Sequence, residues 1–441
     1  MIKKLLFITF LLLGNISQQS VAQNLDKTKL DAYFVALEAN NKFMGSVALS
    51  QNGNIIYTKA IGFIDVENKL KADNQSKYRI GSISKTFTSV LVFKAVEEKK
   101  LSLNQTIDSY FPDIKNAKNI TISHLLNHRS GIFNFTNSPE YLSWNTVAKS
   151  EKEMVEIIKQ GGSVFEPDSK AEYSNSNYVL LTFILEKTYK KPFSELLTEY
   201  ICKPIGLQNT YLGGKIHSEN NECKSYRFAD SWKLEPETDT SIPLGAGGIV
   251  STPSDLAKFS DALFGGKLLS SESLEMMKTL KDNYGMGLFQ FPFDEKKAFG
   301  HTGGIDGFSS MFSHFSESSL SYALISNGSN YINNSISIAV LSAAFGKEFT
   351  IPEFKVYAVS SEDLDSYIGL YSSSQLPLKI TISKDGKTLI AQATGQASFP
   401  LEATDKHIFK YDQAGILLEF KPEEKTMILK QGGGVFTFTK E

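Results

Sequence analysis

Apolar residues recur at helical spacing in some stretches of the chain and alternate with polar residues in others. In residues 25–40 they fall three or four positions apart, which predicts an amphipathic helix. The next two apolar stretches, 46–50 and 55–60, are short and are separated by a turn that contains Asn52 and Gly53. Because Asn-Gly favours the tight turns of β-hairpins, these two stretches are predicted to be paired strands.

Helical spacing dominates from residue 82 to about residue 264. Strand patterns return at 299–314 and 320–326, and a last helix is predicted at 334–345. Strands at both ends of this region and helices between them predict an α+β domain in which late strands pair with early ones. The predicted helices between the two groups of strands are 122–128, 151–160, 178–188, 193–200 and 253–263.

The character of the chain changes beyond about residue 347. Short alternating segments follow one another between turn residues such as Asp385-Gly386 and Lys421-Pro422, which predicts a small antiparallel, barrel-like all-β domain. The segments are 378–383, 388–393, 416–420, 426–430 and 435–439. The boundary is expected near 350–362, so the predicted domains are 23–350 and 351–441.

Residues 1–22 have the pattern of a secretory signal peptide: a basic start, an apolar run, and the small-x-small sequence Ser20-Val21-Ala22. The apolar run is too short to span a bilayer, and no later stretch approaches the ~20 apolar residues of a membrane helix. The mature protein is therefore expected to be periplasmic or secreted.

Charge and metal-ligand patterns exclude some classes of function. With 46 Lys and Arg against 48 Asp and Glu, the chain has no basic excess that would indicate nucleic-acid binding. The close pair His124 and His128 lacks a third ligand at zinc-helix spacing, so helix packing is the better interpretation, and no metal or cofactor is expected. Cys202 and Cys223 could form a disulfide in an exported protein or remain two buried thiols, and both alternatives stay open.

Ser82 and Lys85 are candidates for catalysis. They lie three residues apart at a predicted helix start, so their side chains share a face roughly 5–6 Å apart. A desolvated lysine can act as the base that a serine hydroxyl needs to become a nucleophile. The alternative is a capping serine followed by a solvated lysine.

Two further polar stretches could complete such a site. Tyr173 could share a proton with a lysine, and Asn175 could bind a substrate amide. The alternative is a polar turn that caps the following helix, which fits Ser176 or Asn177 well. The glycine-rich stretch 299–307 contains His301, Thr302 and Gly303, and its glycines could admit a substrate to a strand edge. A turn between strands is the alternative.

The three motifs Ser82-x-x-Lys85, Tyr173-x-Asn175 and His301-Thr302-Gly303 resemble, in this order, the active-site motifs of the penicillin-recognising serine enzymes. The branch that they resemble holds class C β-lactamases, D-Ala-D-Ala carboxypeptidases, esterases and D-aminopeptidases. The resemblance spans roughly residues 25–346 and includes the flanking stretches 122–132 and 245–252.

The resemblance implies an antiparallel sheet flanked by helices, a mostly helical inserted region and a groove between them. It also implies roles for matched residues: acylation of Ser82, proton transfer by Lys85 and Tyr173, substrate binding by Asn175, His301, Thr302 and Gly303, and an oxyanion hole from the N–H groups of Ser82 and Gly304. The tail resembles the lipocalin-like domain appended to many hydrolases of this branch.

The expected function is that of an exported serine hydrolase that forms an acyl-enzyme, either DD-peptidase-like or a broad peptidase or esterase. Its substrate would be a peptidoglycan-type peptide, a β-lactam or an ester. One alternative is a class C-type β-lactamase, although His301 stands where those enzymes usually have lysine; another is a penicillin-binding sensor with slow turnover. With an ordinary pKa near 6.5, His301 would lose its charge between about pH 6 and 8, weakening attraction for substrate carboxylates.

Overall fold

The structure, a computed structural model, describes residues 25–229, 231–354, 357–396 and 398–441. The predicted signal peptide at 1–22 lies outside the described residues. No helix in these ranges is long and apolar enough to cross a membrane.

The helices of the described residues connect three groups of strands. They are α1 (Lys27–Ala39), α2 (Ser84–Glu97), α3 (Ile122–Leu126), α4 (Tyr141–Trp144), α5 (Glu151–Gly161), α6 (Asn175–Tyr189), α7 (Phe193–Leu197), α8 (Lys203–Ile205), α9 (Pro253–Phe264), α10 (Ser271–Lys278), α11 (Asn333–Ala344) and α12 (Ser361–Leu364).

Thirteen strands precede residue 350 in the described part of the chain. They are β1 (Phe43–Gln51), β2 (Asn54–Ile61), β3 (Phe63–Asp65), β4 (Leu70–Lys71), β5 (Tyr78–Arg79), β6 (Tyr211–Leu212), β7 (Tyr226–Phe228), β8 (Trp232–Leu234), β9 (Ile249–Ser251), β10 (Phe289–Phe293), β11 (Lys296–Ile305), β12 (Phe308–Phe315) and β13 (Leu320–Ser329).

The central sheet confirms the predicted pairing of late strands with early ones. Its order is β10-β11-β12-β13-β1-β2, and every neighbouring pair is antiparallel. The predicted hairpin of β1 and β2 is present, with positive φ angles at Asn52 (52°) and Gly53 (78°). Asparagine and glycine tolerate these left-handed conformations, so the turn chemistry sets the register.

Helices cover both faces of this sheet. One face packs against α1 and α11 in a core that includes Phe34 and Val340. On the other face, Phe259 of α9 packs on Phe312 of β12, with ring centroids 6.1 Å apart, and stacks on Phe87 of α2 at 3.8 Å. The α+β prediction is therefore confirmed, and α9 anchors α2 against the sheet.

The strand patterns predicted over 299–314 are present as two strands, β11 and β12. β11 ends at Ile305 and β12 begins at Phe308, so Asp306 and Gly307 form the turn. Asp306 has a φ of 51°, the conformation that favours Asp-Gly in a two-residue hairpin turn. The preceding strand β10 was not predicted.

The C-terminal strands close into an eight-stranded barrel with its own apolar core. All five predicted segments are strands, and three others were missed. The barrel strands are β14 (Gly369–Ser372), β15 (Lys379–Asp385), β16 (Thr388–Ala393), β17 (Phe399–Asp405), β18 (Ile408–Tyr411), β19 (Ile416–Lys421), β20 (Thr426–Gln431) and β21 (Gly434–Lys440).

An ion-pair cluster joins the barrel to the central sheet. The ammonium of Lys42, just before β1, is 2% exposed and contacts Glu402 and, at 3.2 Å, Asp412 of the barrel. Such a buried cation needs its partners, because an unpaired charge in this position is costly. The division of the chain near residue 350 stays a prediction.

Both cysteines are free thiols in the structure. Cys202 and Cys223 are buried, and the thiol of Cys202 donates to the carbonyl oxygen of Thr210 at 3.3 Å. Burial raises the pKa of the Cys202 thiol to about 12 and that of Cys223 well above its usual range. Of the two alternatives left open by the sequence, the structure has the unpaired thiols.

Candidate active site

Ser82 lies in a 3₁₀ turn, Gly81–Ile83, that leads directly into α2. The backbone of β11 passes close to this turn: a Cβ atom on Gly81 would lie 2.8 Å from the backbone nitrogen of Gly304, and the φ of Gly81 is 51°. A side chain at Gly81 would clash and be strained. Glycine at this position therefore allows the candidate nucleophile and the glycine-rich strand to approach each other.

Lys85 is completely buried in the first turn of α2, beneath Ser82. Its Nζ lies 3.0 Å from Oγ of Ser82, 2.7 Å from Oδ1 of Asn175 and 2.7 Å from the carbonyl oxygen of Ala246. All three partners are neutral oxygens. Burial lowers the pKa of Lys85 well below its usual range.

The neutral amine suits this geometry. It can donate its two N–H bonds to Asn175 and Ala246 and direct its lone pair at the hydroxyl of Ser82. This is the arrangement required of a general base that takes the proton of a serine nucleophile. The predicted proximity of Ser82 and Lys85 is therefore present, and the solvated-lysine alternative is wrong.

Asn175 is held on several sides at the start of α6. Its Oδ1 accepts from Lys85, its Nδ2 donates to Oγ1 of Thr136 at 3.1 Å, and its backbone N–H donates to Oδ1 of Asn134 at 3.0 Å. The sequence suggested a substrate-binding amide. In this structure, the amide oxygen accepts from Lys85, and Asn175 also lines the cavity above Ser82, so substrate binding by this residue stays a prediction.

Tyr173 contacts Ser82 from the loop before α6. Its ring centroid is 4.9 Å from Nζ of Lys85, and its hydroxyl interacts with the Ser82 side chain. Burial raises the pKa of the Tyr173 phenol, and the neighbouring Ser82 side chain only partly opposes that effect. The phenol is therefore protonated near neutral pH and can donate a proton.

His128 supports this loop, a role that the sequence did not reveal. The imidazole is 2% exposed, its Nδ1 accepts the backbone N–H of Ser174 at 3.1 Å, and its centroid is 4.5 Å from that of Tyr173. Burial lowers its pKa well below the usual value. His128 lies in the stretch 122–132, which belongs to the resemblance described above, and that was the only sequence signal for its role.

His301, predicted to bind substrate, is buried in β11 beneath the cavity. The side chain is 2% exposed, packs edge-on to Phe289 with centroids 4.8 Å apart, and its Nδ1–H donates to the carbonyl oxygen of Thr302. Burial, reinforced by the nearby Lys85, lowers the pKa of His301 to about 3. The expected loss of charge between pH 6 and 8 depended on an ordinary pKa, and burial favours a ring that is already neutral there.

Thr302 and Gly303 follow on β11. Thr302 is exposed, while a Cβ atom on Gly303 would lie 2.1 Å from the carbonyl oxygen of Ile80. The close approach at Gly303 is therefore made by the protein's own backbone beside Ser82. Gly303 has no room for any side chain.

A cavity of about 700 Å³ opens above Ser82. Asn175 and Gly304 also line it, whereas Lys85 and His301 are buried beneath. The remaining lining residues come from helix α4, the end of β11 and the segments between elements: Phe135, Thr136, Tyr141, Leu142, Asn145, Thr146, Glu235, Pro236, Thr238, Pro243, Ala246, Gly247, Ile305 and Asp306. The described residues contain no group of His, Cys, Asp and Glu side chains that could hold a metal ion.

Comparison with known proteins agrees with this arrangement. The family model described as Beta-lactamase matches residues 30–344, which include the serine, the lysine and the glycine-rich strand. The chain belongs to the beta-lactamase family. Together with the hydrolases among its relatives, this makes the protein a serine hydrolase.

Relatives within the family include proteins with different names. Penicillin-binding protein 4* of Bacillus subtilis is 25% identical over 450 residues, 92% of this chain and 96% of that protein. The teichoic acid D-alanine hydrolase of Staphylococcus aureus (strain MRSA252) is 27% identical over 272 residues, which span 60% of this chain and 66% of that protein.

Solved structures of the family have the same fold. A D-amino acid amidase from Ochrobactrum anthropi, complexed with D-phenylalanine, has a TM-score of 0.63 and 27% identity over 71% of this chain and 98% of that one. An octameric penicillin-binding protein homologue from Pyrococcus abyssi has a TM-score of 0.67 at 24% identity and covers 94% of this chain and all of its own. The Pyrococcus abyssi comparison therefore extends over the barrel, and at this identity it shows a shared fold and no shared activity.

Proposed function

We propose that the protein is an exported hydrolase that acylates Ser82 and cleaves peptide or ester bonds, with a DD-peptidase-like or broad peptidase and esterase activity. The observation that carries the proposal is the contact of 3.0 Å between Oγ of Ser82 and Nζ of Lys85, at the base of an open cavity. Relatives named as a penicillin-binding protein, a D-alanine hydrolase and a D-amino acid amidase support a substrate of this class.

The arrangement of side chains accounts for acylation with all protons assigned. Lys85 takes the proton of Ser82, whose Oγ bonds to the substrate carbonyl carbon. The N–H groups of Ser82 and Gly304 are proposed to stabilise the resulting oxyanion, since both residues line the cavity. When the bond to the leaving amine or alcohol breaks, Tyr173 protonates the leaving group and regains a proton from Lys85.

Deacylation reverses the same proton path. Water gives a proton to the Tyr173 and Lys85 pair and attacks the acyl carbon, and Ser82 regains its proton as the acid product leaves. Positioned acid–base groups of this kind contribute typically ~10²–10⁴-fold to turnover.

Efficient β-lactam hydrolysis is disfavoured by the environment of His301. A buried, neutral imidazole offers no permanent cation to a substrate carboxylate, and burial holds its pKa at about 3. Neutral esters and amides need no such cation. This argument ranks neutral ester and amide substrates ahead of β-lactams and also ahead of D-Ala-D-Ala peptides, which end in a carboxylate, and β-lactamase activity stays the alternative.

Covalent capture tests the proposal. A fluorescent penicillin or a fluorophosphonate should label the full-length protein, and Ser82→Ala should abolish labelling and hydrolysis of a nitrophenyl ester. Ser84→Ala is the matched control, because Ser84 lies two residues away in the same helix start and its hydroxyl accepts the N–H of Ile249. Labelling that survives in Ser82→Ala would overturn the assignment, and a wild-type protein that is labelled but never turns over would indicate a sensor.

A further inference from the structure

The two backbone groups proposed as oxyanion donors belong to stretches that are distant in the sequence. Ser82 lies in the turn before α2, Gly304 lies near the end of β11, and both residues line the catalytic cavity. Two such donors stabilise an oxyanion only when both point at the same oxygen, and a displacement of about 1 Å is enough to spoil this geometry. A contact that fixes one stretch against the other would therefore serve catalysis.

A buried ion pair joins these two stretches. Arg79 is the last residue of β5 and precedes Ser82 by three positions. Asp306 begins the turn after β11 and follows Gly304 by two positions. Nη1 of Arg79 donates to Oδ2 of Asp306 at 3.1 Å, and the two side chains are 2% and 3% exposed. The pair therefore ties the chain that enters the Ser82 turn to the chain that leaves the strand of Gly304.

Further partners hold the guanidinium of Arg79 in one orientation. Nη1 also donates to the carbonyl oxygen of Thr238 at 2.6 Å. Nη2 donates to the carbonyl oxygen of Gly214 at 2.9 Å and to Oε2 of Glu237 at 3.3 Å. A planar guanidinium with acceptors on both Nη atoms presents its N–H groups in fixed directions. Arg79 is therefore suited to fix the position of Asp306 as well as to neutralise its charge.

Thr238 fixes the carboxylate of Asp306 from a second segment that lines the cavity. Oδ1 of Asp306 accepts the backbone N–H of Thr238 at 3.0 Å and its hydroxyl at 2.6 Å. The same hydroxyl accepts from Nδ2 of Asn145 at 3.0 Å. Asp306, Thr238 and Asn145 all line the cavity. The ion pair therefore belongs to a network that connects the Ser82 turn with the cavity wall.

The backbones between the ion pair and the two donors are in contact. Oγ of Ser310 on β12 donates to the carbonyl oxygen of Ile80 at 2.8 Å. A Cβ atom would lie 2.1 Å from that same oxygen if it were added to Gly303, and 2.8 Å from the nitrogen of Gly304 if it were added to Gly81. Closely packed segments transmit a displacement because no space is left to absorb it. A shift of the ion pair should therefore reach both donors.

Stability alone does not account for this pair. Burial raises the pKa of Asp306, and its hydrogen bonds with Thr238 and its pairing with Arg79 only partly oppose that effect. Removing two charges from water costs about as much as their attraction returns, so a buried ion pair contributes little to net stability. What the pair does provide is a single relative position of the two segments that carry it.

Resting on the proposed acyl-enzyme function, we propose that Arg79 and Asp306 are positioning residues for the oxyanion hole. Their ion pair holds the Ser82 turn against the end of β11. The N–H groups of Ser82 and Gly304 then converge on one oxygen. Loss of a whole oxyanion donor typically costs about 10²–10³-fold in kcat, so displacement of one donor is expected to cost about 10–100-fold.

Hydrolysis of a nitrophenyl ester and inhibition by phenylboronic acid test this role in the full-length protein. The boron atom of phenylboronic acid bonds to Oγ of Ser82, whose proton passes to Lys85, and the tetrahedral adduct carries a negative charge as the hydrolytic intermediate does. Its inhibition constant therefore measures how well the site stabilises an oxyanion. The stoichiometry of fluorophosphonate labelling measures the fraction of active molecules.

Two variants weaken the link between the segments in different ways. Asp306→Asn removes the charge and keeps the size of the side chain. Thr238→Val removes the hydroxyl that donates to Asp306 and keeps every charge, so its buried ions stay paired. Each variant is expected to lower kcat and kcat/KM by the same factor, about tenfold or more, because the weakened interaction is made only in the transition state. The inhibition constant of phenylboronic acid should rise by a similar factor.

The pair itself is tested at Arg79. Arg79→Lys keeps the charge and should retain a lower inhibition constant than Arg79→Gln, which removes it. A merely structural role would reduce the number of labelled molecules in these variants. It would leave the inhibition constant of the remaining active molecules unchanged.

Asp255 of α9 offers a matched control. It is also buried, and its Oδ2 accepts a backbone N–H, from Asn209 at 2.8 Å, and a threonine hydroxyl, from Thr210 at 3.0 Å. Its hydrogen bonds are thus of the same kind as those of Asp306, but it lies outside the cavity lining. Asp255→Asn should leave the inhibition constant of phenylboronic acid unchanged.

The outcomes separate this inference from the proposed function. Unchanged inhibition constants in folded, fully labelled Asp306→Asn and Thr238→Val would overturn the positioning role, while ester turnover and labelling of Ser82 in the wild-type protein would still uphold the proposed function. An equal rise in Asp255→Asn would also overturn the positioning role, because the effect would then follow from the loss of any buried carboxylate. A wild-type protein that is neither labelled at Ser82 nor able to hydrolyse the ester would overturn the proposed function itself.

Discussion

Replacing His301 by glutamine tests whether this imidazole is held neutral by the fold. The ring is 2% exposed, and burial lowers its pKa to about 3. In the unfolded chain the pKa returns to about 6.5. Because the unfolded chain then binds the proton more readily, His301 makes stability fall as the pH drops from about 6.5 towards 3.

The two pKa values set the size of the effect. The linkage relation gives a loss of about 2 kcal/mol in the free energy of unfolding between pH 7 and pH 5 from this one ring. The loss would reach about 5 kcal/mol only below pH 3, where the folded ring would also be protonated. Glutamine does not titrate, so His301→Gln should lose about 2 kcal/mol less than the wild-type protein between pH 7 and pH 5.

Urea unfolding at pH 7 and pH 5, followed by circular dichroism, measures this difference. The buried rings of His128 and His314 remain in both proteins, so their contributions cancel in the comparison. His217→Gln, at a half-exposed position, controls for the loss of a surface imidazole. An equal pH dependence in wild type and His301→Gln would refute the reasoning.

The neutral state of His301 also predicts an activity profile. The ratio of activity on carboxylate-bearing and neutral substrates should not change between pH 6 and 8 through titration of His301.

Four substitutions and one truncation probe the site and its surroundings. Lys85→Ala and Tyr173→Phe should each lower kcat on a nitrophenyl ester by about 10²–10⁴-fold with an unchanged circular dichroism spectrum, and near wild-type rates would remove that residue from the mechanism. His128→Phe should lower kcat more than KM because the N–H of Ser174 loses its acceptor, and His128→Asn, which restores an acceptor, should recover part of the rate. A protein that ends at Gly346 should keep measurable ester hydrolysis, and a folded but inactive product would show that the barrel contributes to the cavity.

The elements that the sequence predicted well are those formed by residues close together in the chain, such as a single helix or a hairpin turn. The helix at 25–40 is present as α1, and the Asn52-Gly53 turn joins β1 and β2 as expected. The missed barrel strands β14, β17 and β18 are four to seven residues long. β14 closes the barrel by pairing with the distant β21, whereas β17 and β18 pair with strands adjacent in sequence. β17 contains Pro400, a residue that weakens a strand pattern, and β18 has only four residues.

The candidate site was predictable only where motif order and helical spacing specify it. Spacing brought Ser82 and Lys85 onto one face, and the resemblance added Tyr173 and the strand of His301. The carbonyl oxygen of Ala246, which accepts from Lys85 at 2.7 Å, is a backbone atom from a distant loop. Any residue type can supply a main-chain acceptor, so the sequence does not identify it. The only signal was that this residue lies in the glycine-rich stretch 245–252.

The burial of Lys85 and His301, and with it the protonation state of each, could not be derived from the sequence. Both side chains are buried beneath the same cavity, and desolvation lowers the pKa of each, with Lys85 adding to the effect on His301. A protonated imidazole would repel Lys85 once the lysine has taken the proton of Ser82, so the buried space favours a neutral imidazole at position 301. The neutral ring adds no second charge beneath the cavity, and Lys85 remains able to take that proton.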